Sequence, residues 1–190
     1  MSTGMPGDDF PIVLHAAQLG EEWAFSALYR GLNPQLLRYF ASRVPDQSED
    51  LAAETWIGAA RNLSTFDGGE HAFRAWLFTI AHRRLVQHWR DAARRPPAEP
   101  TAEVDAGHTD PGGVESQAVE SLTAQHAAGL IASALTQDQA EVVLLRILGG
   151  LGVDEVAGIV GKRAGAVRGL QHKALRKLAE QNFLLEALTP

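Results

Sequence analysis

The sequence contains no cysteine among its 190 residues. That excludes disulfides, thiolate zinc sites, iron-sulfur clusters and cysteine nucleophiles together, and it is compatible with a reducing cytoplasm. No window approaches the roughly 20 apolar residues of a membrane span. The opening MSTGMPGDDFPIVLHAAQLG lacks a basic n-region and a long apolar core and carries Asp8 and Asp9, so it does not read as a secretory signal. A soluble, cytoplasmic protein is expected. H-E-x-x-H, a P-loop and G-x-S-x-G are all missing. The histidines are His15, His71, His82, His88, His108, His126 and His172. His82 and His88, six residues apart, fall on different faces of a helix, so isolated surface or capping histidines are expected rather than a metal site. No catalytic residue, metal or cofactor is expected, and the chain does not read as an enzyme.

A surplus of positive charge is missing as well. The formal net charge of -6 argues against a protein that coats nucleic acid by bulk attraction. The distribution of charge says something different. Arg74, Arg83, Arg84, Arg90, Arg94 and Arg95 form one basic cluster, and Lys162, Arg163, Arg168, Lys173, Arg176 and Lys177 form another. Residues 96 to 125 lie between them with Glu99, Glu103, Asp105, Asp110, Glu115 and Glu120 and without Lys or Arg. This spacer also holds Pro96, Pro97, Pro100, Pro111 and several glycines and shows no apolar period, which marks a flexible acidic linker over residues 96–115. The division that follows is a disordered start over 1–9, a first unit over 10–95, the linker, a second unit over 116–182 and a tail over 183–190.

Both units read as helical, because apolar residues recur three and four apart without sustained alternation. The fold expected is all-α, two small helical domains joined by the linker. In the first unit Ala24, Leu28 and Leu32 mark one helix, with Leu36, Tyr39 and Phe40 beyond Pro34 as its continuation or a second piece. VPDQSEDLAAETW stops at Pro45 and restarts with Asp46 or Ser48 as N-cap, and this helix runs to about Leu63. A Gly-containing loop, STFDGGEHAF, leads into FRAWLFTIAHRRLVQHWRDAARR. In the second unit, helices are expected over about 116 to 134, 137 to 148, 153 to 159 and 164 to 182, divided at GGLG and VGKRAG.

At about 100° per residue, Phe73, Trp76, Leu77 and Ile80 share a core-facing arc, while Arg83, Gln87, Arg90 and Arg94 share an exposed one. That basic arc is either a phosphate-contacting surface or simply a soluble face. DEVAGIVGKRAGAVRGLQHKALRKL fits a helix-turn-helix. Ala157 is the small residue where the helices meet, Gly161 supplies the positive φ of the turn, and Val167 holds the second helix, with Val156, Val160 and Leu170 in support. Arg163, Arg168, Gln171, His172, Lys173 and Arg176 then project from the second helix toward phosphates and base edges of a major groove, or else form a solvated basic face.

Together these segments resemble a known family. DLAAETWIGAARNLSTF followed by FRAWLFTIAHRRL resembles region 2 of the extracytoplasmic-function (ECF) sigma factors of the sigma-70 family. LTQDQAEVVLLRILGGLGVDEVAGIVGKRAGAVRGLQHKALRKL is similar to their region 4, and FSALYRGLNPQLLRYFASRV has the character of their opening region 2 helices. The resemblance implies a transcription initiation factor that binds core RNA polymerase, at the β′ clamp helices and the β flap, and promoter DNA. It assigns polymerase binding to Asp50, Leu51, Glu54, Trp56 and Ile57, with the alternative that this helix is a plain amphipathic bundle helix. The -10 promoter element falls to Phe66, Thr79, Arg83, Arg84, Gln87, His88 and Arg90; Phe66 either lines a pocket for an unstacked base or plugs the core. The -35 element falls to Arg163, Ala164, Arg168, Gln171, His172, Lys173 and Arg176. An anti-sigma protein is a further implied partner. The family usually has Gln where Ala53 stands and a Ser or Thr N-cap where Arg163 stands, and Gly169 interrupts the recognition helix. A helix-turn-helix repressor acting on duplex DNA without polymerase is the competing function.

Overall fold

The computed structural model describes residues 9–94, 129 and 132–188, the last eight by backbone alone. The expected disordered start, apart from Asp9, and the acidic linker lie outside these residues. So does most of the helix expected over 116 to 134, of which Gly129 and residues 132–134 are helical.

Four helices build the first unit: α1 (Phe10–Gln18), α2 (Glu22–Ala41), α3 (Ser48–Asn62) and α4 (Glu70–Arg94). Helix α2 passes straight through Pro34 as one element. An interior proline costs roughly 3 kcal/mol, but Leu28, Leu32, Leu36, Tyr39 and Phe40 are all buried on either side of it. Each such burial contributes about 1.5–3 kcal/mol, so continuity prevails. The expected N-cap of α3 is corrected. Asp46 lies in a 3-10 turn, Pro45–Gln47, and Ser48 is already helical, its hydroxyl donating backward to the Pro45 carbonyl at 2.9 Å. Glu49 and Asp50 do occupy the first turn, where the helix dipole favours acids.

The core arc of α4 is wider than periodicity suggests. Phe73, Leu77, Phe78, Ala81 and Leu85 are buried, whereas Trp76 and Ile80 are only half-buried at its edge. The extra stripe exists because α4 packs on both α2 and α3 and also contacts the second unit.

The second unit comprises α5 (Gln137–Ile147), α6 (Val153–Val160) and α7 (Ala164–Leu188). A capping box starts α5, with the Thr136 amide donating to Gln139 Oε1 at 3.1 Å. The connection to α6 turns at Gly150, φ +64°, and α6 ends at Gly161, φ +66°. The Lys162 amide donates back to the Ala157 carbonyl at 3.0 Å, which closes the turn of the helix-turn-helix. Helix α7 outruns its expected end near residue 182 and reaches Leu188, so the segment 183–190 is helical for most of its length. No Gly or Pro falls between residues 170 and 189 to stop it.

Candidate nucleic-acid interface

Helix α4 presents three different faces beyond its core stripe. Arg83, Gln87, Arg90 and Arg94 are exposed together, as their spacing predicts. Gln87 is tied within the helix, its amide donating to the Asp91 carboxylate at 2.9 and 3.0 Å. Arg84 and His88 are half-buried and turn toward α3. There Arg84 lies 3.5 Å from Glu54, and a groove of about 430 Å³ is lined by Asp50, Glu54, Ile57, Arg84, Gln87 and His88. The third face carries His82 and Trp89 toward the second unit. The residues assigned to the -10 element are therefore split, Arg83 and Arg90 apart from Arg84 and His88. The latter two share a groove with the residues assigned to polymerase. Thr79 is half-buried, with its hydroxyl donating to the Ala75 carbonyl at 2.7 Å.

Helices α3 and α4 approach closely at Gly58. A Cβ there would stand 3.4 Å from Ile80 Cγ2 and 3.8 Å from an Arg84 guanidinium nitrogen. Asp50, Glu54 and Ile57 line the solvent side of α3, and Ile57 is 51% exposed. Leu51 and Trp56, expected on that face, are only 6% and 4% exposed; Leu51 still lines the floor of the groove, whereas Trp56 does not reach it. Trp56 packs against Phe25 and Tyr29 and donates its indole N–H to Asn33 at 3.1 Å, so its surface is already used inside the bundle.

The loop before α4 is held from both ends. Gln18 donates to the carbonyls of Leu63 and Phe66, at 3.1 and 2.7 Å. The Phe66 ring rests on Phe73 and Trp76, with centroids 5.4 and 5.0 Å away, and Phe73 in turn meets Phe10 at 5.7 Å. Of the two roles left open for Phe66, the geometry is that of a ring closing the core. Its half-exposed edge still borders the loop.

In the second unit Val167 and Ala174 are fully buried, pinning α7 against its neighbours. Arg163, Arg168, His172, Lys173 and Arg176 are exposed together, while Gln171 and Ala164 are half-buried. The Arg163 carbonyl accepts from the amides of Ala166 and Val167, at 2.9 and 3.1 Å. Lys162 is paired with Asp138 at 2.9 Å and Arg176 with Glu180 at 3.2 Å.

One polar cluster escaped the sequence reading. Glu141 on α5 is only 6% exposed and is held by the first unit. Its Oε1 accepts from the Tyr39 hydroxyl and lies 2.7 Å from His82 Nδ1, and the Arg43 guanidinium stands 3.7 Å from Oε2. That last contact supplies charge without a hydrogen bond. Arg43 also stacks on Trp89, 4.9 Å from its ring centre. At the opposite end of α4, His71 Nε2 lies 2.8 Å from Glu155. His71 and His82 thus bridge the two units and are not isolated. The overlooked signal was an acid inside the apolar run AEVVLLRIL.

Burial holds the Tyr39 phenol well above its ordinary value of 10.0, reinforced by the Glu141 charge and its hydrogen bond and opposed by Arg43. A raised phenol pKa favours the fold below pH 10 and withdraws that support as pH climbs toward the folded-state value. In a titration followed by phenolate absorbance, Tyr39 is expected to ionise only well above pH 10, and in Glu141→Gln at a lower pH than in the wild type. Equal midpoints in the two proteins would contradict the role given to the carboxylate.

Among the described residues no group of three or more metal-ligating side chains occurs, and no helix is long and apolar enough to cross a membrane. The fold and its surfaces define a class: an all-helical protein in which a bundle with a basic-faced helix accompanies a helix-turn-helix. Residues 28–95 match the family model for Sigma-70 region 2. The ECF RNA polymerase sigma factor BldN of Streptomyces coelicolor is 36% identical over 170 residues, spanning 88% of this chain and 63% of BldN. The ECF RNA polymerase sigma factor ShbA of Streptomyces griseus is 34% identical over 181 residues, spanning 89% of this chain and 94% of ShbA. Among solved structures, CnrH in complex with the cytosolic domain of CnrY shares the fold, with a TM-score of 0.58 and 23% identity over 96% of this chain and 100% of that one. The chain belongs to the ECF sigma factors of the sigma-70 family.

Proposed function

We infer that the chain binds core RNA polymerase in the cytoplasm, directs it to promoters through their -10 and -35 elements and promotes opening of the duplex, performing no covalent chemistry itself. The observation that carries this is the relation to ShbA, which extends over 94% of that protein and so includes both units. The exposed side of α3, with Asp50, Glu54 and Ile57, offers charge and one apolar contact to the β′ clamp helices. Arg83 and Arg90 on α4 hold the -10 strand backbone, and Arg163, Arg168, His172, Lys173 and Arg176 on α7 take the -35 major groove, with the second unit near the β flap. An anti-sigma protein covering these surfaces fits the same picture, as CnrH has been seen with CnrY.

The test is transcription with purified core polymerase on promoters mapped by 5′ ends. A side chain on DNA contributes about 1–3 kcal/mol, so Arg83→Ala with Arg90→Ala is expected to lower open-complex formation by about tenfold or more. Core-polymerase affinity should change less than about twofold, since neither arginine faces the exposed side of α3. The reverse order would contradict the face assignment. Tight binding to a palindromic duplex without polymerase would replace this reading with that of a repressor.

A further inference from the structure

The loop that joins α3 to α4 is fixed from outside by a residue of α1. Gln18, the last residue of that helix, spends both hydrogens of its amide on the loop. It donates to the Leu63 carbonyl at 3.1 Å and to the Phe66 carbonyl at 2.7 Å, partners 45 and 48 residues away in the chain. Only the amino end of the side chain suits two carbonyl oxygens, so chemistry sets its orientation. Helix α1 gives the amide a firm base, because Phe10, Val13, Leu14 and Ala17 are all buried.

The loop has little else to hold it. Its internal bonds are short-range, from the Phe66 amide to the Leu63 carbonyl at 3.1 Å and from the Thr65 hydroxyl to the Asn62 carbonyl at 3.0 Å. Gly68 and Gly69 follow, and glycine gives up more conformational freedom on ordering than any other residue. The Phe66 ring is the second anchor, and the chain folds tightly over it: a Cβ on Gly68 would stand 3.0 Å from Ala72 Cβ and 3.1 Å from Phe66 Cζ. Phe66 is thus gripped by its ring and by its carbonyl at once, and Ser64, Thr65 and Asp67 around it are left exposed.

Hydroxyls and a carboxylate can read a base taken out of the stack through hydrogen bonds to its edge, the carboxylate accepting from an exocyclic amino group. Such discrimination requires the reading groups to be held within roughly 0.5 Å. We propose that Gln18 is a positioning residue for -10 recognition: its two bonds set the shape in which the loop offers Ser64, Thr65 and Asp67 to an unstacked base, without contact between Gln18 and DNA. The recognition role rests on the promoter function inferred above, whereas the anchoring of the loop does not.

Gln18→Met keeps the length of the side chain and removes both donors, and Gln18→Lys returns N–H donors at the end of a longer stem. Neither alters the residues assigned to DNA or to polymerase. In the free full-length chain, amide hydrogen exchange across residues 63–69 should rise about tenfold in Gln18→Met, as expected for two neutral hydrogen bonds, with α2 unchanged. In Gln18→Lys it should return toward the wild type. With core polymerase, opening rates are then compared on a mapped promoter and on variants carrying each other base at each -10 position. The preference for the favoured base should fall by about threefold or more at one position in Gln18→Met and recover in Gln18→Lys. Core-polymerase affinity should stay within about twofold in both. Exchange unaltered in Gln18→Met overturns the anchor. A loosened loop with undiminished base preference, or a loss that Gln18→Lys does not restore, overturns the positioning role. If the wild type starts no transcript with polymerase while its loop still loosens in Gln18→Met, the anchoring stands and the promoter function falls, together with the role in recognition.

Discussion

Replacing Phe73 with alanine is expected to destabilise the first unit by about 3–5 kcal/mol, the range for removing a fully buried aromatic ring. Phe73 is 1% exposed and meets three rings, Phe10, Phe66 and Trp76, at centroid distances of 5.7, 5.4 and 5.5 Å. Its loss takes away dispersion contacts from α1, from the loop before α4 and from α4 itself, and no single neighbour can fill the space. For a unit of this size each kcal/mol corresponds to about 4–8 °C in melting temperature, so thermal unfolding followed by circular dichroism should show a drop of well over 10 °C. Phe73→Leu retains most of the apolar volume and should cost less than half as much. Equal costs for the two substitutions would mean that the rings around Phe73 do not act as a packed cluster. The functional consequence is local: Phe66 loses one of its two ring supports, and the loop assigned to the -10 element is then held mainly by Gln18.

A second large effect is expected from one methyl group. In Gly149→Ala the new Cβ would stand 2.6 Å from the Leu145 carbonyl oxygen and 2.9 Å from Leu151 Cγ. The nearer atom is backbone, so the last turn of α5 must shift and the bond from the Leu151 amide to that carbonyl, 3.4 Å, is lost. Overpacking of this kind costs about 1–3 kcal/mol. Gly158 provides the contrast, since nothing lies within 4 Å of a Cβ there and it occupies an exposed position within α6. Gly158→Ala should stabilise by up to about 1 kcal/mol through helix propensity alone. Chemical denaturation of the two variants against the wild type checks both signs, and a neutral Gly149→Ala would show that the turn relaxes freely.

The contrast between local and non-local information explains what could be read in advance. The helix-turn-helix was legible because Ala157, Gly161 and Val167 act within ten residues of one another, and a positive φ followed by a buried valine leaves a direct trace in sequence. The exposed line of Arg83, Gln87, Arg90 and Arg94 was legible for the same reason, because helical period alone sets it. The burial of Leu51 and Trp56 was not legible, because a helix packed on two partners buries more than one stripe, and period cannot tell which apolar residues stay outside. Helix α2 crossing Pro34 shows burial overriding propensity. The Glu141 cluster was out of reach, since its partners come from α2 and α4, and only the oddity of an acid among valines and leucines hinted at it. The packing of Phe66 on Phe73 and Trp76 could be read only once those rings were placed.

The close approach at Gly58 has a mechanical meaning. With a hydrogen in place of a side chain, α3 and α4 lie near enough for Ile80 to bear on the α3 backbone, and the Arg84–Glu54 pair spans the same crossing. Two helices packed this closely resist moving apart or sliding independently. On the function proposed above, the angle that the Asp50, Glu54 and Ile57 side takes against polymerase would then pass to the line of arginines on α4, so that anchoring the chain would also aim it.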